Sequence, residues 1–184
     1  MSITGWEPVL ALPVSPERDH IRGPVDAPVT LLEYGDYECP YCGAAHPVVE
    51  AVRERMGDDL RFVYRHFPLS TVHPHAWAAA EAGEAAGAQR RFWQMHDLLF
   101  DDQRHLAIPD LLARAASLGL DVDRFEAELM GRVHADKVQE DFLSGVRSGV
   151  PGTPTFFING ARFDGVPDFA SLLSAVQVPL ARRA

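Results

Sequence analysis

The stretch Val29-Thr30-Leu31-Leu32-Glu33-Tyr34-Gly35-Asp36-Tyr37-Glu38-Cys39-Pro40-Tyr41-Cys42 decides how the rest of the chain is read. Its opening run, Val29 to Tyr34, is apolar and β-favouring apart from Glu33, the composition of a strand buried on both faces of a sheet. Beyond the two cysteines, apolar residues at Ala45, Val49, Val52 and Met56 fall at helical spacing. Glu50, Arg53 and Glu54 occupy the other side, and Gly57 closes the element. A strand therefore turns directly into a helix whose start carries the cysteine pair. Pro40 suits the first helical turn, where no amide donor is missed, whereas Pro47 lies inside the helix and is expected to kink it.

Downstream, Leu60 to Phe67 supplies a second strand, ended by Pro68. From Pro74 to about Gly149 the pattern turns helical. An alanine-rich segment (Ala76 to Ala88), an aromatic amphipathic segment from Phe92 to Phe100, a helix opening at Pro109-Asp110, the Asp123 region and Val133 to Val146 predict four or five helices. Strand character returns in Thr155-Phe156-Phe157-Ile158, and Asn159-Gly160 is a hairpin signal leading into Ala161-Arg162-Phe163. Phe169, Leu172, Leu173 and Val176 mark a closing helix. Upstream, Pro8, Pro13, Pro16, Pro24 and Pro28 make the start of the chain mostly extended or turn-forming. The expected organisation is an extended arm at 1–28, one α/β domain in two sequence halves (29–72 and 150–178), and a helical insertion at 73–149.

A chain of 184 residues can bury a core without covalent staples. With 17 basic and 26 acidic residues its formal net charge is -9, the wrong sign for gripping nucleic acid or an anionic membrane surface. The start has no basic segment ahead of an apolar run, Val9 to Leu12 is too short for a signal peptide, and no stretch approaches the length of a membrane span. Taking Met1 as the natural start, the expected setting is the cytoplasm, where structural disulfides are rare and a close cysteine pair reads as redox or metal chemistry. His73-Pro74-His75 and the spacing of Cys42 to His46 offer donors that zinc accepts. With two cysteines and no second paired motif, the expectation is no metal and no cofactor. His66, His96, His105 and His134 read as structural or solvated, and Trp77, Phe92, Trp93 and Phe100 as core.

The strand, the Cys39-Pro40-Tyr41-Cys42 pair and the helix, followed over a hundred residues later by Gly149-Val150-Pro151-Gly152-Thr153-Pro154-Thr155-Phe156, resemble the DsbA-like branch of the thioredoxin superfamily. The likeness runs from about Asp26 to Val176. It implies a thioredoxin-like fold with an inserted helical block, a kink at the position of Pro47, and disulfide exchange with protein substrates. It also implies that Glu33 is a buried acid relaying a proton to or from Cys42, and that Pro154 follows a cis peptide bond. The backbone at Thr153 would then pair with an extended substrate, with Pro40 and Tyr41 also meeting it. The implied partners are protein thiols or disulfides and a glutathione or thioredoxin system.

The residues themselves support part of this. A thiolate is the attacking species, and Cys39 stands where the first helical amides and the positive end of the helix dipole stabilise one, lowering its pKa by about one. Cys42, a turn later and less exposed, is the resolving thiol. A carboxylate at Glu33 inside an apolar strand should have a raised pKa, unless it sits at a strand end facing solvent. Asp36 and Glu38 oppose the Cys39 thiolate, and no basic residue lies between the cysteines. Tyr41 stands where strongly oxidising members carry His, and Cys-Pro-Tyr-Cys is similar to the glutaredoxin string. A moderately reducing or intermediate potential is therefore expected. A glutaredoxin-like, glutathione-dependent reductase and a non-catalytic chaperone or adaptor are the alternative functions.

Overall fold

In a computed structural model, which describes residues 9–181, the run that opens at Val29 becomes the central strand of a five-stranded sheet. The elements follow in chain order as β1 (His20–Arg22), β2 (Val29–Gly35), α1 (Pro40–Met56), β3 (Leu60–His66), α2 (Ala76–Ala88), α3 (Phe92–Asp101), α4 (Ile108–Ser117), α5 (Val122–Met130), α6 (Ala135–Arg147), β4 (Thr155–Ile158), β5 (Ala161–Phe163) and α7 (Phe169–Ala181). The sheet order is β1-β3-β2-β4-β5. β2 pairs in parallel with β3, placing Glu33 opposite Tyr64, and antiparallel with β4, placing Glu33 opposite Phe156. The Asn159-Gly160 turn joins β4 to β5, with both residues at positive φ, 48° and 87°. The fold is α/β and thioredoxin-like, with five helices between β3 and β4.

Both faces of the sheet are covered, which is why its central strands read as continuous apolar runs. On one face Leu31, Phe62, Tyr64 and Phe156 pack with Ala45, Val49 and Val52 of α1, with α2 and α3, and with Leu172 and Val176 of α7. On the other face Leu32, Tyr34, Val63, Phe67 and Phe157 meet Phe142 of α6 and Leu10, Val14 and Ile21 from the arm. α1 continues through Pro47 as one helix.

The arm, expected to be mostly extended or turn-forming, lends one short strand to the sheet, and residues 1–8 of it lie outside the described residues. It contributes β1, which pairs antiparallel with β3 at His20 and Tyr64. His-Ile-Arg has no apolar alternation, so nothing local announces this edge strand; partners elsewhere in the fold hold it. His20 Nε2 lies 2.9 Å from the Glu84 carboxylate of α2, and His66 Nε2 of β3 lies 2.8 Å from the same group. Arg65 of β3, fully buried, donates to Asp19 at 2.9 and 3.1 Å, to the Tyr34 hydroxyl at 3.0 Å and to the Leu12 and Pro13 carbonyls. These bonds outweigh burial and hold the Asp19 carboxyl below its ordinary range.

Removing one partner of a buried ion pair strands the other charge, at a cost of about 3–5 kcal/mol. Asp19→Ala is therefore expected to lower stability by about 3 kcal/mol, three other acceptors being left for Arg65. Urea unfolding should show a lower midpoint at unchanged slope. An unchanged midpoint would mean the arm is not anchored through this pair.

Candidate active site

β2 ends at Gly35, and the loop 36–39 delivers Cys39 to the N-cap of α1 with extended backbone (φ -73°, ψ 120°) and Pro40 in the first turn. The loop is fixed by the carboxylate of Asp36. It accepts from the backbone N–H of Glu38 (2.8 Å) and of Leu69 (2.9 Å), and Nδ1 of His73 lies 2.7 Å away. From the other side Gln103, in the α3–α4 connection, donates to the carbonyls of Tyr37 (2.9 Å) and Cys39 (2.8 Å). Gly43 makes that approach possible, since a Cβ there would meet Gln103 Oε1 at 2.0 Å.

Both cysteines are free thiols. Cys39 is held down to about 5 from an ordinary value of 9.0, first by a hydrogen bond from the Cys42 thiol, against burial, and then by Thr153 and the backbone amides of Cys42 and Tyr41. As a thiol, Cys39 donates to the Thr153 carbonyl at 3.4 Å. As a thiolate it can accept from the Thr153 hydroxyl, whose oxygen is buried without another partner. The drop exceeds the one expected of a helix terminus alone because Cys42 and Thr153 add direct donors. Cys42, completely buried, is pushed well above its ordinary value by burial, by its bond to Cys39 and by the Glu33 charge.

Glu33 is 2 % exposed and its Oε1 has no partner. Burial, with the nearby Cys39 charge, raises its pKa to about 8, so the solvent-facing alternative does not describe it. Thr153 and Pro154 lie against Cys39 across the 114 positions that separate Cys39 from Thr153, and the peptide between them is cis. Pro40 is exposed and Tyr41 is 75 % exposed, so both stand at the surface beside a buried dithiol. Pro151, Pro154, Phe163 and Pro167 line a cavity of about 160 Å³ next to the cis bond.

Two residues absent from the sequence reading of the site belong to it. His73, considered only as a metal donor, sets its ring against Asp36, and despite the opposing effect of partial burial that bond raises its pKa above the ordinary imidazole value. The carboxylate of Asp36, expected to oppose the Cys39 thiolate, is thereby engaged by a ring from the β3–α2 loop. Glu38, the other acid, accepts from the His75 backbone N–H at 2.6 Å. Gln103 had no sequence signal except the glycine at 43 that admits it.

A family model described as Thioredoxin matches residues 15–178. Among curated proteins the chain is 53% identical over 169 residues to a Na(+)/H(+) antiporter NhaA 1 of Salinispora arenicola, covering 91% of this chain and 26% of that protein. The chain thus spans about a quarter of the length of the curated relatives it matches, and no helix among its described residues is long and apolar enough to cross a membrane. Among solved structures, oxidised BdbD from Bacillus subtilis superposes with a TM-score of 0.83 at 22% identity, covering 91% of this chain and 95% of that one. A thioredoxin-like oxidoreductase from Silicibacter pomeroyi gives 0.79 at 26% identity, covering 91% and 94%.

Two titrations check the geometry. Iodoacetamide alkylation of Cys39 in the dithiol form should follow a single ionisation near pH 5, and a midpoint near 9 would deny the donors assigned to it. Because this pKa is lowered by folding, its contribution to the dithiol form is complete above about pH 9 and lost as pH falls through 5. For Glu33 the sign reverses. Between about pH 4.5 and 8 the folded chain keeps a proton that the unfolded chain has lost, so stability falls as pH rises. Glu33→Gln should abolish that slope in urea unfolding of the disulfide form, where burial alone raises Glu33 and the window closes below 8. An unaltered slope would remove Glu33 as the buried acid.

Proposed function

The chain belongs to the thioredoxin family, in its DsbA-like branch, and on that premise we propose that it is a thiol-disulfide oxidoreductase acting on protein substrates through Cys39 and Cys42. The observation that carries this reading is the opposite poise of two thiols one helical turn apart. Cys39, with a pKa of about 5, is a thiolate at neutral pH, while Cys42, pushed up by burial, is a thiol. The first attacks or is attacked; the second stays in reserve.

In the reducing direction the Cys39 thiolate attacks one sulfur of a substrate disulfide and the other substrate sulfur leaves as thiolate, giving a mixed disulfide on Cys39. Cys42 then attacks the Cys39 sulfur. Its proton must leave as the new bond forms, and we assign the Glu33 carboxylate as the base that takes it, directly or through water; its pKa of about 8, which drops once the Cys39 charge is lost in the mixed disulfide, lets it do so near neutral pH. The products are the Cys39–Cys42 disulfide and a second substrate thiol. The oxidising direction runs through the same mixed disulfide, with Glu33 returning the proton to Cys42. Substrate would approach over Tyr41 and Pro40 and lie along the backbone at Thr153 and Pro154, which flanks the Cys39 sulfur at 3.4 Å.

A stabilised thiolate favours the dithiol over the disulfide and so raises the reduction potential. A Cys39 pKa of about 5 lies between those of thioredoxin, about 7, and of DsbA, about 3.5. It supports a potential between their values of about -270 and -120 mV, and Tyr41 in place of the His of strongly oxidising members points the same way.

Trapping and equilibration test the reading. Cys42→Ala should accumulate mixed disulfides through Cys39 with cellular proteins, and equilibration of the unaltered chain with glutathione buffers should give an intermediate potential. Adducts with glutathione alone would favour the glutathione-dependent reductase, and no adduct of any kind would favour the adaptor.

A further inference from the structure

A second cluster of ligating side chains lies against the far side of the dithiol helix. His46 follows Cys42 by one turn on α1 and faces α3, where His96 and Asp97 are consecutive. One donor atom from each of the three lies within 4.8 Å of the others, and His46 Nε2 stands 3.8 Å from Asp97 Oδ1. The two imidazoles meet edge to face with centroids 5.3 Å apart.

The second observation is the condition of His96. It is 1 % exposed; its Nδ1 lies 3.0 Å from the Tyr37 hydroxyl, and its Nε2 is buried with no partner at all. A buried imidazole nitrogen without a hydrogen bond is costly. The arrangement matches that of a metal-bound histidine, in which one ring nitrogen is oriented by a hydrogen bond and the other is left for the ion.

We propose that His46, His96 and Asp97 form a binding site for a divalent transition metal of the zinc or cobalt class, fastening α1 to α3 beneath the dithiol. Two imidazoles and a carboxylate are a borderline donor set that such ions accept. At bond lengths of about 2.0–2.1 Å, tetrahedral ligand atoms stand roughly 3.3 Å apart, so closure needs side-chain movement on the order of 1 Å. Asp97 is already oriented for it: Arg22 donates to Oδ1 at 3.0 Å and to Oδ2 at 2.5 Å, and each oxygen keeps a further lone pair. Near His46 the Arg22 guanidinium is outnumbered by Asp97, Glu50 and Asp101. Burial lowers the pKa of both histidines, so both rings are neutral and available at neutral pH. His46 is 14 % and Asp97 39 % exposed at the side chain, which leaves an entry path and a free coordination position for water.

The two cysteines lack the second pair that a cysteine-based zinc site needs. This site uses neither cysteine, so it can be tested apart from the redox reading. The disulfide form of the full chain is the material of choice, because Cys39 and Cys42 cannot then ligate. Titration with Co²⁺ should give one ion per chain with the visible absorption of a low-coordinate site, displaced by Zn²⁺, and Zn²⁺ should raise the melting temperature by several degrees. His46→Ala should weaken binding at least about 100-fold, and Tyr37→Phe about 10-fold through loss of the bond that orients His96. His105→Ala, at an exposed pair elsewhere, should bind as the unaltered chain does. Shifts of the His46 and His96 ring resonances on adding Zn²⁺ read the same site without any substitution. Absence of Co²⁺ uptake at millimolar concentration, full binding by His46→Ala, or unmoved ring resonances would each overturn the proposal.

Discussion

The position of β2, hydrogen-bonded along both edges and buried on both faces, is the constraint on which the site depends. A strand held by β3 in parallel and β4 in antiparallel register has no freedom to slide, since a shift of one residue would exchange its two apolar faces. The end of that strand is therefore a fixed point. The loop from Asp36 to Cys39 starts there, and the helix that it feeds cannot rotate without losing the contacts of Ala45, Val49 and Val52 with the sheet. The same pairing fixes the other half of the site, because β4 is the direct continuation of Thr153 and Pro154.

Within this frame, charge is distributed by desolvation and by local donors more than by sequence composition. Two acids close to the cysteines are held in opposite conditions. Asp36 receives two backbone N–H groups and an imidazole, whereas Glu33 has an oxygen with no partner and a pKa of about 8. The two thiols diverge for related reasons. Cys39 at the N-cap meets amides, the Cys42 thiol and Thr153, while Cys42, one turn inward, meets apolar surroundings and the Glu33 charge. One turn of helix is enough to separate an attacking group from a reserve group.

Periodicity made the greater part of the fold legible before any coordinates. The apolar run at 29–34, the spacing Ala45-Val49-Val52-Met56 and the Asn159-Gly160 turn are local signals, and each lies within the element it announces. Cys39 and Cys42 stood out by residue type and by their place at a strand-to-helix junction, whereas the proton-relay role of Glu33 and the docking role of Thr153-Pro154 came only from likeness to the DsbA-like branch. What escaped depends on distant partners. β1 is held by the Glu84 and Arg65 bonds rather than by its own composition, and His73 and Gln103 act on a loop 37 to 66 residues away. Likewise His46 was read with Cys42 on its own helix, whereas the groups nearest its ring in space are on α3.

The contact between Cys39 and Thr153 joins positions 114 residues apart. A ribosome adding about 5–20 residues per second leaves Cys39 waiting roughly 6–23 s for its partner. Until β4 arrives, the central strand lacks one neighbour and Cys39 lacks the Thr153 contact. During that interval the thiolate has only the donors of its own helix start, the Cys42 thiol and the first amides, and the arrival of Thr153 completes the set. The last increment of its reactivity is thus added when the second half of the domain closes onto the first.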